Sequence, residues 1–262
     1  MSRRPDHNPG RTGPGNLSAY SRRYSERATR RHPHRPAGAG TVTSMSSTTR
    51  TGPAVLSAPL RWPAGALVLA AAIAVVVLGV RYAGQTTSSR TDDRLRLLVA
   101  TWVPDPGRVF RFVQMLGDPV PVVIAAGLLA TACWASGRRR LAVLAVAGPG
   151  LAGVATSGLK PVFDRMIGGG LAYPSGHTAA MTALAIVAAL LLVDLIAAGP
   201  VAGLLLLGAV AIGAGTAMGL ALTALEVHYP TDTVGGFGTA VAVVLGAALL
   251  VDRIADRHAV RG

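Results

Sequence analysis

The sequence predicts an all-α polytopic membrane protein: six transmembrane helices in a bundle, with a short amphipathic interfacial segment between the first and second spans. Three observations predict it. Apolar residues make up 51% of the chain and charged residues only 14%. Aromatic residues are 5%, and 32 glycines stand with many alanines where a water-soluble core would carry larger side chains. Four uncharged stretches, 62–80, 119–137, 141–159 and 233–251, are each nineteen residues long and each ended by a charged residue. At ~1.5 Å per residue, each is long enough to cross a hydrocarbon core of ~30 Å.

The elements follow in order. Residues 1–61 are rich in Arg, Ser, Pro, Gly and Thr, with eleven arginines against Asp6 and Glu26. They are expected to form a disordered, cytoplasmic, basic tail. Such a tail suits anionic lipid headgroups better than nucleic acid, because it lacks interleaved aromatics, and a solvated tail without a partner is the simplest reading. The first apolar run is long and begins far from Met1, which does not fit a cleavable signal.

The membrane domain is expected over 62–251. After the first span, residues 94–116 alternate arginines with Leu, Val, Trp and Phe around the break Pro104-Asp105-Pro106-Gly107. This reads as two short amphipathic helices lying at the interface. The apolar stretch 178–225 is interrupted only by Asp194 and broken at Gly199-Pro200, which predicts two further spans joined by a tight turn. Asp194 is expected at the inner boundary, where a charge is tolerated. A short cytoplasmic tail, 252–262, closes the chain. The single cysteine, Cys133, excludes an internal disulfide and any cysteine-based metal site, and reads as a small packing residue.

Counting spans places the polar residues. Lys160, the only lysine beside twenty-four arginines, ends the third span. His177 opens the fourth and His228 follows the fifth, so all three are expected on one membrane face whichever way the chain inserts. Membrane-proximal Arg and Lys divide eight to eight between the sides, a tie under the positive-inside rule. The compact arginine run at 138–140, in a minimal loop, favours a cytoplasmic position for that loop. The site is then extracytoplasmic, and both termini are cytoplasmic.

The chemistry these residues suit is phosphoryl transfer. Ser175 and Gly176 immediately precede the fourth helix, where amides, a hydroxyl and the helix dipole favour an anion, and glycine permits close backbone approach. His228 can act as a nucleophile if a carboxylate fixes its tautomer, and Asp232, four residues on past Tyr229-Pro230, can supply that contact. His177, on a different segment, is free to protonate the departing oxygen. Lys160 and Arg165 would neutralise the equatorial phosphoryl oxygens. No acidic cluster of metal-ligand type stands out among twelve scattered Asp and Glu residues, so no metal and no other cofactor is expected.

In these residues the sequence resembles the type 2 phosphatidic acid phosphatases, or lipid phosphate phosphatases, whose soluble relatives include vanadium haloperoxidases. Members share three blocks: lysine, six residues and Arg-Pro; Pro-Ser-Gly-His; and Ser-Arg, five residues, His, three residues and Asp. The second block is complete at Pro174-Ser175-Gly176-His177. The third keeps His228 and Asp232 at the family spacing, followed by Gly235 and Gly236. The first keeps Lys160. The chain departs in two places, with Ile167-Gly168 where the family has Arg-Pro and Ala221-Leu222 where it has Ser-Arg. Loss of one transition-state donor typically costs ~3 kcal/mol, roughly a hundredfold in rate. Arg165 is expected to shift into one vacancy on the glycine-rich loop at 168–170. Arg108 or Arg111 could serve the other, and Glu226 is expected to face outward.

The resemblance implies a metal-independent membrane phosphatase. Its substrate would be a lipid phosphate or polyprenyl (di)phosphate, and its intermediate a phosphohistidine on His228. Expected partners are that lipid substrate and the surrounding membrane, with no nucleic acid. The alternative is a noncatalytic lipid-phosphate-binding membrane protein, in which the missing arginines have abolished turnover. A haloperoxidase fits less well, since an arginine-poor cradle suits vanadate badly.

Overall fold

The computed structural model describes residues 53–261. The expected disorder of the basic tail falls on 1–52, outside the described residues. Among the described residues there are eight α-helices and one short hairpin. The helices are α1 (Ala58–Tyr82), α2 (Arg90–Trp102), α3 (Gly107–Leu116), α4 (Pro119–Ala135), α5 (Arg139–Phe163), α6 (Gly176–Leu195), α7 (Pro200–Ala224) and α8 (Pro230–Arg261). Between α5 and α6, strands β1 (Met166–Ile167) and β2 (Gly170–Leu171) pair antiparallel. Gly168 and Gly169 turn the hairpin at φ 56° and 83°, a left-handed pair that glycine accepts without steric penalty.

Helices α1, α5, α6, α7 and α8 are long and apolar enough to cross a membrane. Helix α4 has 17 residues and passes the same test only together with α3, from which it is bent by 63°. The outer faces are apolar: Leu69, Val77, Leu128, Val154 and Leu205 are exposed on four different helices. A water-soluble protein would rarely show so much contiguous apolar surface, and a hydrocarbon solvent makes it the ordinary case.

Helix α6 is the central element. It packs against α5, α7 and α8, and Ala179, Ala183, Ile186, Val187 and Leu190 are buried around it, as befits a helix that is apolar on every side. Helix α1 packs chiefly on α8, and α4 on α5. Small residues set these distances. A Cβ at Gly79 would lie 2.4 Å from the Phe163 ring, and one at Gly238 would lie 2.9 Å from Val75.

Local signals fix the helix ends. Gly199 caps α7 and Pro200 opens it, matching the break expected there, because proline's missing N–H is one of the unpaired first-turn groups. Helix α5 stops at Asp164, which adopts φ 48° and donates its amide to the Lys160 carbonyl. Helix α7 stops similarly, with Glu226 at φ 58° and the Val227 amide returning to the Leu222 carbonyl.

The structure moves both expected domain boundaries. Residues 53–61 are not part of a free tail: α1 begins at Ala58 and Val55 and Leu56 are buried. The physical reason is Asp252, a buried carboxylate that accepts both their amides at 2.8 Å and also pairs with Arg140 at 3.0 Å. Asp252 in turn belongs to α8, which runs on to Arg261, so residues 252–261 continue the last helix.

Candidate active site

The loop after α7 and the start of α8 explain the spacing of His228 and Asp232. Pro230 begins the helix, and Asp232, in its first turn, folds back to accept the Tyr229 amide on Oδ2 at 3.0 Å, half of a capping box. The same Oδ2 lies 3.6 Å from His228 Nδ1, which has no hydrogen-bond partner among the described residues. That separation is longer than a hydrogen bond, yet it puts the carboxylate on the Nδ1 side of the ring. The opposite edge, with Nε2, is left for the cavity that His228 lines.

The loop carrying Pro174-Ser175-Gly176-His177 is tied to this element through the backbone. The Ser175 amide donates to the Asp232 carbonyl at 3.0 Å. Two glycines make that approach possible. A Cβ at Gly236 would lie 2.3 Å from the Ser175 carbonyl oxygen, and one at Gly235 would lie 2.3 Å from the Tyr173 ring, both far inside contact distance. Ser175 itself is fully buried, and its hydroxyl accepts from the amide and hydroxyl of Thr178 as the cap of α6. It therefore does not present its amide or hydroxyl to a ligand as expected, because helix capping and the Asp232 carbonyl engage both.

Lys160, Gly176, His177 and His228 line one cavity of about 710 Å³. From this polar end it continues between α4 and α5 past Gly153 and Gly127 to Val146. Along α5, Lys160 to Val146 is a run of about 21 Å. Beyond the polar end the wall is small and apolar. His177 Nε2 lies 3.0 Å from Asp118 Oδ1, a contact the sequence reading did not foresee.

Arg165 is not on the cavity wall. Its side chain is 0% exposed, with Nη1 donating to Asp232 Oδ1 and Thr231 Oγ1 at 2.6 Å and Nη2 to Asp92 Oδ2 at 2.6 Å. The guanidinium is stacked between the Tyr82 and Tyr229 rings, 4.5 Å from each centroid. The expectation that Arg165 meets a phosphate is thus corrected: two buried carboxylates hold it behind the site. The second of them, Asp92 on α2, also accepts from the Thr231 amide and hydroxyl and from Ser89. Burial alone would push the Asp92 carboxyl up, but these hydrogen bonds, with that from Arg165, hold it below the usual carboxylate range. Burial also pushes the Tyr229 phenol up, so it stays neutral beside the guanidinium.

The remaining expectations divide. Arg108 and Arg111 are exposed on α3 and do not line the cavity. Leu222, at the position where an arginine was looked for, is 0% exposed in the core. Glu226 is 73% exposed and pairs with Arg96 at 2.7 Å. Asp194 pairs with Arg138 near the α4–α5 turn, at the opposite end of α6 from His177.

Sequence comparison bears on this arrangement. The model of the PAP2 superfamily matches residues 160–255, which include the cavity's Lys160, Gly176, His177 and His228. No curated protein and no solved structure matches the chain. The later helices, with the motif residues gathered as described, are thus the part of this chain that is similar to the PAP2 superfamily.

Proposed function

We propose that the protein is a metal-independent membrane phosphatase that hydrolyses a lipid phosphate or polyprenyl (di)phosphate through a phosphohistidine intermediate at the extracytoplasmic face. The match of residues 160–255 to the PAP2 superfamily supports a phosphoric ester hydrolase acting on lipid phosphates. The observation that carries the finer reading is the cavity: Lys160, His177 and His228, from three separate elements, line its polar end, and its apolar length suits a hydrocarbon tail. In this reading α4 is the second of six spans, and α2 and α3 lie along the interface.

His228 attacks phosphorus through Nε2, with Asp232 on its Nδ1 side stabilising the ring as it becomes charged. His177 protonates the leaving oxygen, then takes a proton from the water that releases phosphate. Lys160 neutralises the phosphoryl oxygens, and the amides at the start of α6 add the helix dipole. Arg165 acts from behind by fixing Asp232. Asp232 and Asp92, the buried carboxylates behind His228, are both engaged by Arg165.

The test is phosphate release from a panel of phospholipid and prenyl phosphates, measured with purified protein in chelator. Release is expected to persist in chelator and to fall to background in His228→Ala. Equal turnover in that variant would remove His228 as the nucleophile. A second reading, a noncatalytic lipid-phosphate binder, draws on one observation: among the described residues no arginine lines the cavity, and Lys160 is the only Lys or Arg on its wall. Saturable lipid binding with no release above the His228→Ala background would establish it.

A further inference from the structure

Asp118 stands at the N-cap of α4 in extended backbone, where an aspartate ordinarily accepts an amide of the first helical turn. It makes no such bond. Pro119 and Pro121 remove two of that turn's donors, and the 63° bend between α3 and α4 turns the carboxylate toward α6. Its side-chain hydrogen bond among the described residues is to His177 Nε2, at 3.0 Å. Gly117 makes the approach possible, since a Cβ there would lie 2.9 Å from His177 Cδ2 and 3.0 Å from its Cβ. The Cδ2 and Nε2 edge of the ring is thus held against Gly117 and Asp118, which leaves Nδ1 on the free edge.

Building on the phosphatase reading of the site, we propose that Asp118 is a positioning residue for the reaction: it accepts the Nε2 proton of His177 and so makes Nδ1 the ring nitrogen that exchanges protons with the substrate. In the first step the bond from His228 Nε2 to phosphorus forms as the bond from phosphorus to the leaving oxygen breaks. The proton on His177 Nδ1 passes to that oxygen and the ring becomes neutral, its remaining proton still held by Asp118. In the second step the Nδ1 lone pair takes a proton from water as the water oxygen attacks phosphorus and the bond to His228 breaks. His177 is returned to its starting state. Throughout, the Asp118 carboxylate compensates the imidazolium and touches neither phosphorus nor the leaving group.

The role separates from a merely structural one by leaving group. An aliphatic alcohol needs the proton, whereas p-nitrophenolate departs with little help. Full-length Asp118→Ala and Asp118→Asn are expected to lose ~10²-fold in kcat on phosphatidate, within the range of general acid catalysis. On p-nitrophenyl phosphate the loss is expected to stay under about tenfold, with KM little changed on either. Asp118→Glu should recover part of the loss, and Asp118→Ala should add little in a His177→Ala background. Equal losses on both substrates, or none on phosphatidate, would overturn the proposal. A second measurement does not depend on turnover. Nitrogen NMR of histidine-labelled protein, with the His177 signals assigned by their absence in His177→Asn, should show Nε2 protonated when the ring is neutral and a changed spectrum in Asp118→Ala. A ring protonated on Nδ1 instead, or an unchanged spectrum, would equally overturn it. If the native protein released no phosphate from p-nitrophenyl phosphate or from any member of the phospholipid and prenyl phosphate panel, the phosphatase reading would fall while the NMR result still decided the contact.

Discussion

Arg165 is the residue on which the site's rigidity turns. One guanidinium satisfies Asp92 and Asp232 at once, through different nitrogens, with tyrosine rings on both faces. Replacing it with methionine would leave two buried carboxylates facing each other, and breaking such a pair costs roughly 3–5 kcal/mol. Arg165→Met should therefore lower the thermal midpoint in detergent sharply and reduce phosphate release. Arg165→Lys should rescue little, since a single ammonium cannot reproduce the fork. The pH dependence has a defined sign. Asp92 is held below its ordinary range, so its stabilising contribution is complete above the ~3.9 of a free aspartate and is lost as pH falls through the lower folded value. An acid titration of unfolding should show that loss in the native protein and not in Asp92→Asn.

At the scale of elements, the approach of α8 to α6 sets the site. Gly236 meets the Ser175 carbonyl where no Cβ fits, so Gly236→Ala must push the two helix starts apart. Overpacking of this kind costs about 1–3 kcal/mol, and here it would also strain the bond from the Ser175 amide to the Asp232 carbonyl. Phosphate release should fall at least tenfold, about 1.4 kcal/mol, while Gly65→Ala, with nothing within 4 Å, serves as the unaffected control.

Much of this level was legible in the sequence. Uncharged runs located the long helices, Gly199-Pro200 located a turn, and the complete Pro-Ser-Gly-His block with the kept spacing of the third block pointed to His177, His228 and Asp232. Arg165 was misread because a guanidinium in a glycine-rich loop near a phosphate motif resembles a ligand, and nothing local reveals a counter-charge 73 positions away. Asp118 was invisible for a similar reason. It stands beside an apolar run with no local sign of a partner, and only the bend between α3 and α4 brings it to His177.

Across the whole molecule, the polar clusters lie at opposite ends of α8. Asp232 is in its first turn, and Asp252, about 30 Å along the helix, fastens the segment before α1 through the amides of Val55 and Leu56. Asp252→Ala should speed hydrogen exchange at those amides and cost roughly 3 kcal/mol of stability, with phosphate release per folded molecule unchanged. A matching loss of turnover would show that the two ends are coupled.

The anchoring of Arg165 also bears on modularity. The stretch that carries the family signature, 160–255, supplies the guanidinium and Asp232, whereas Asp92 comes from α2, well upstream. A chimera grafting the signature segment onto a foreign scaffold would import half of an ionic clasp, together with an imidazole stripped of its Asp118 companion. For transplantation, the indivisible piece begins at the loop preceding α2.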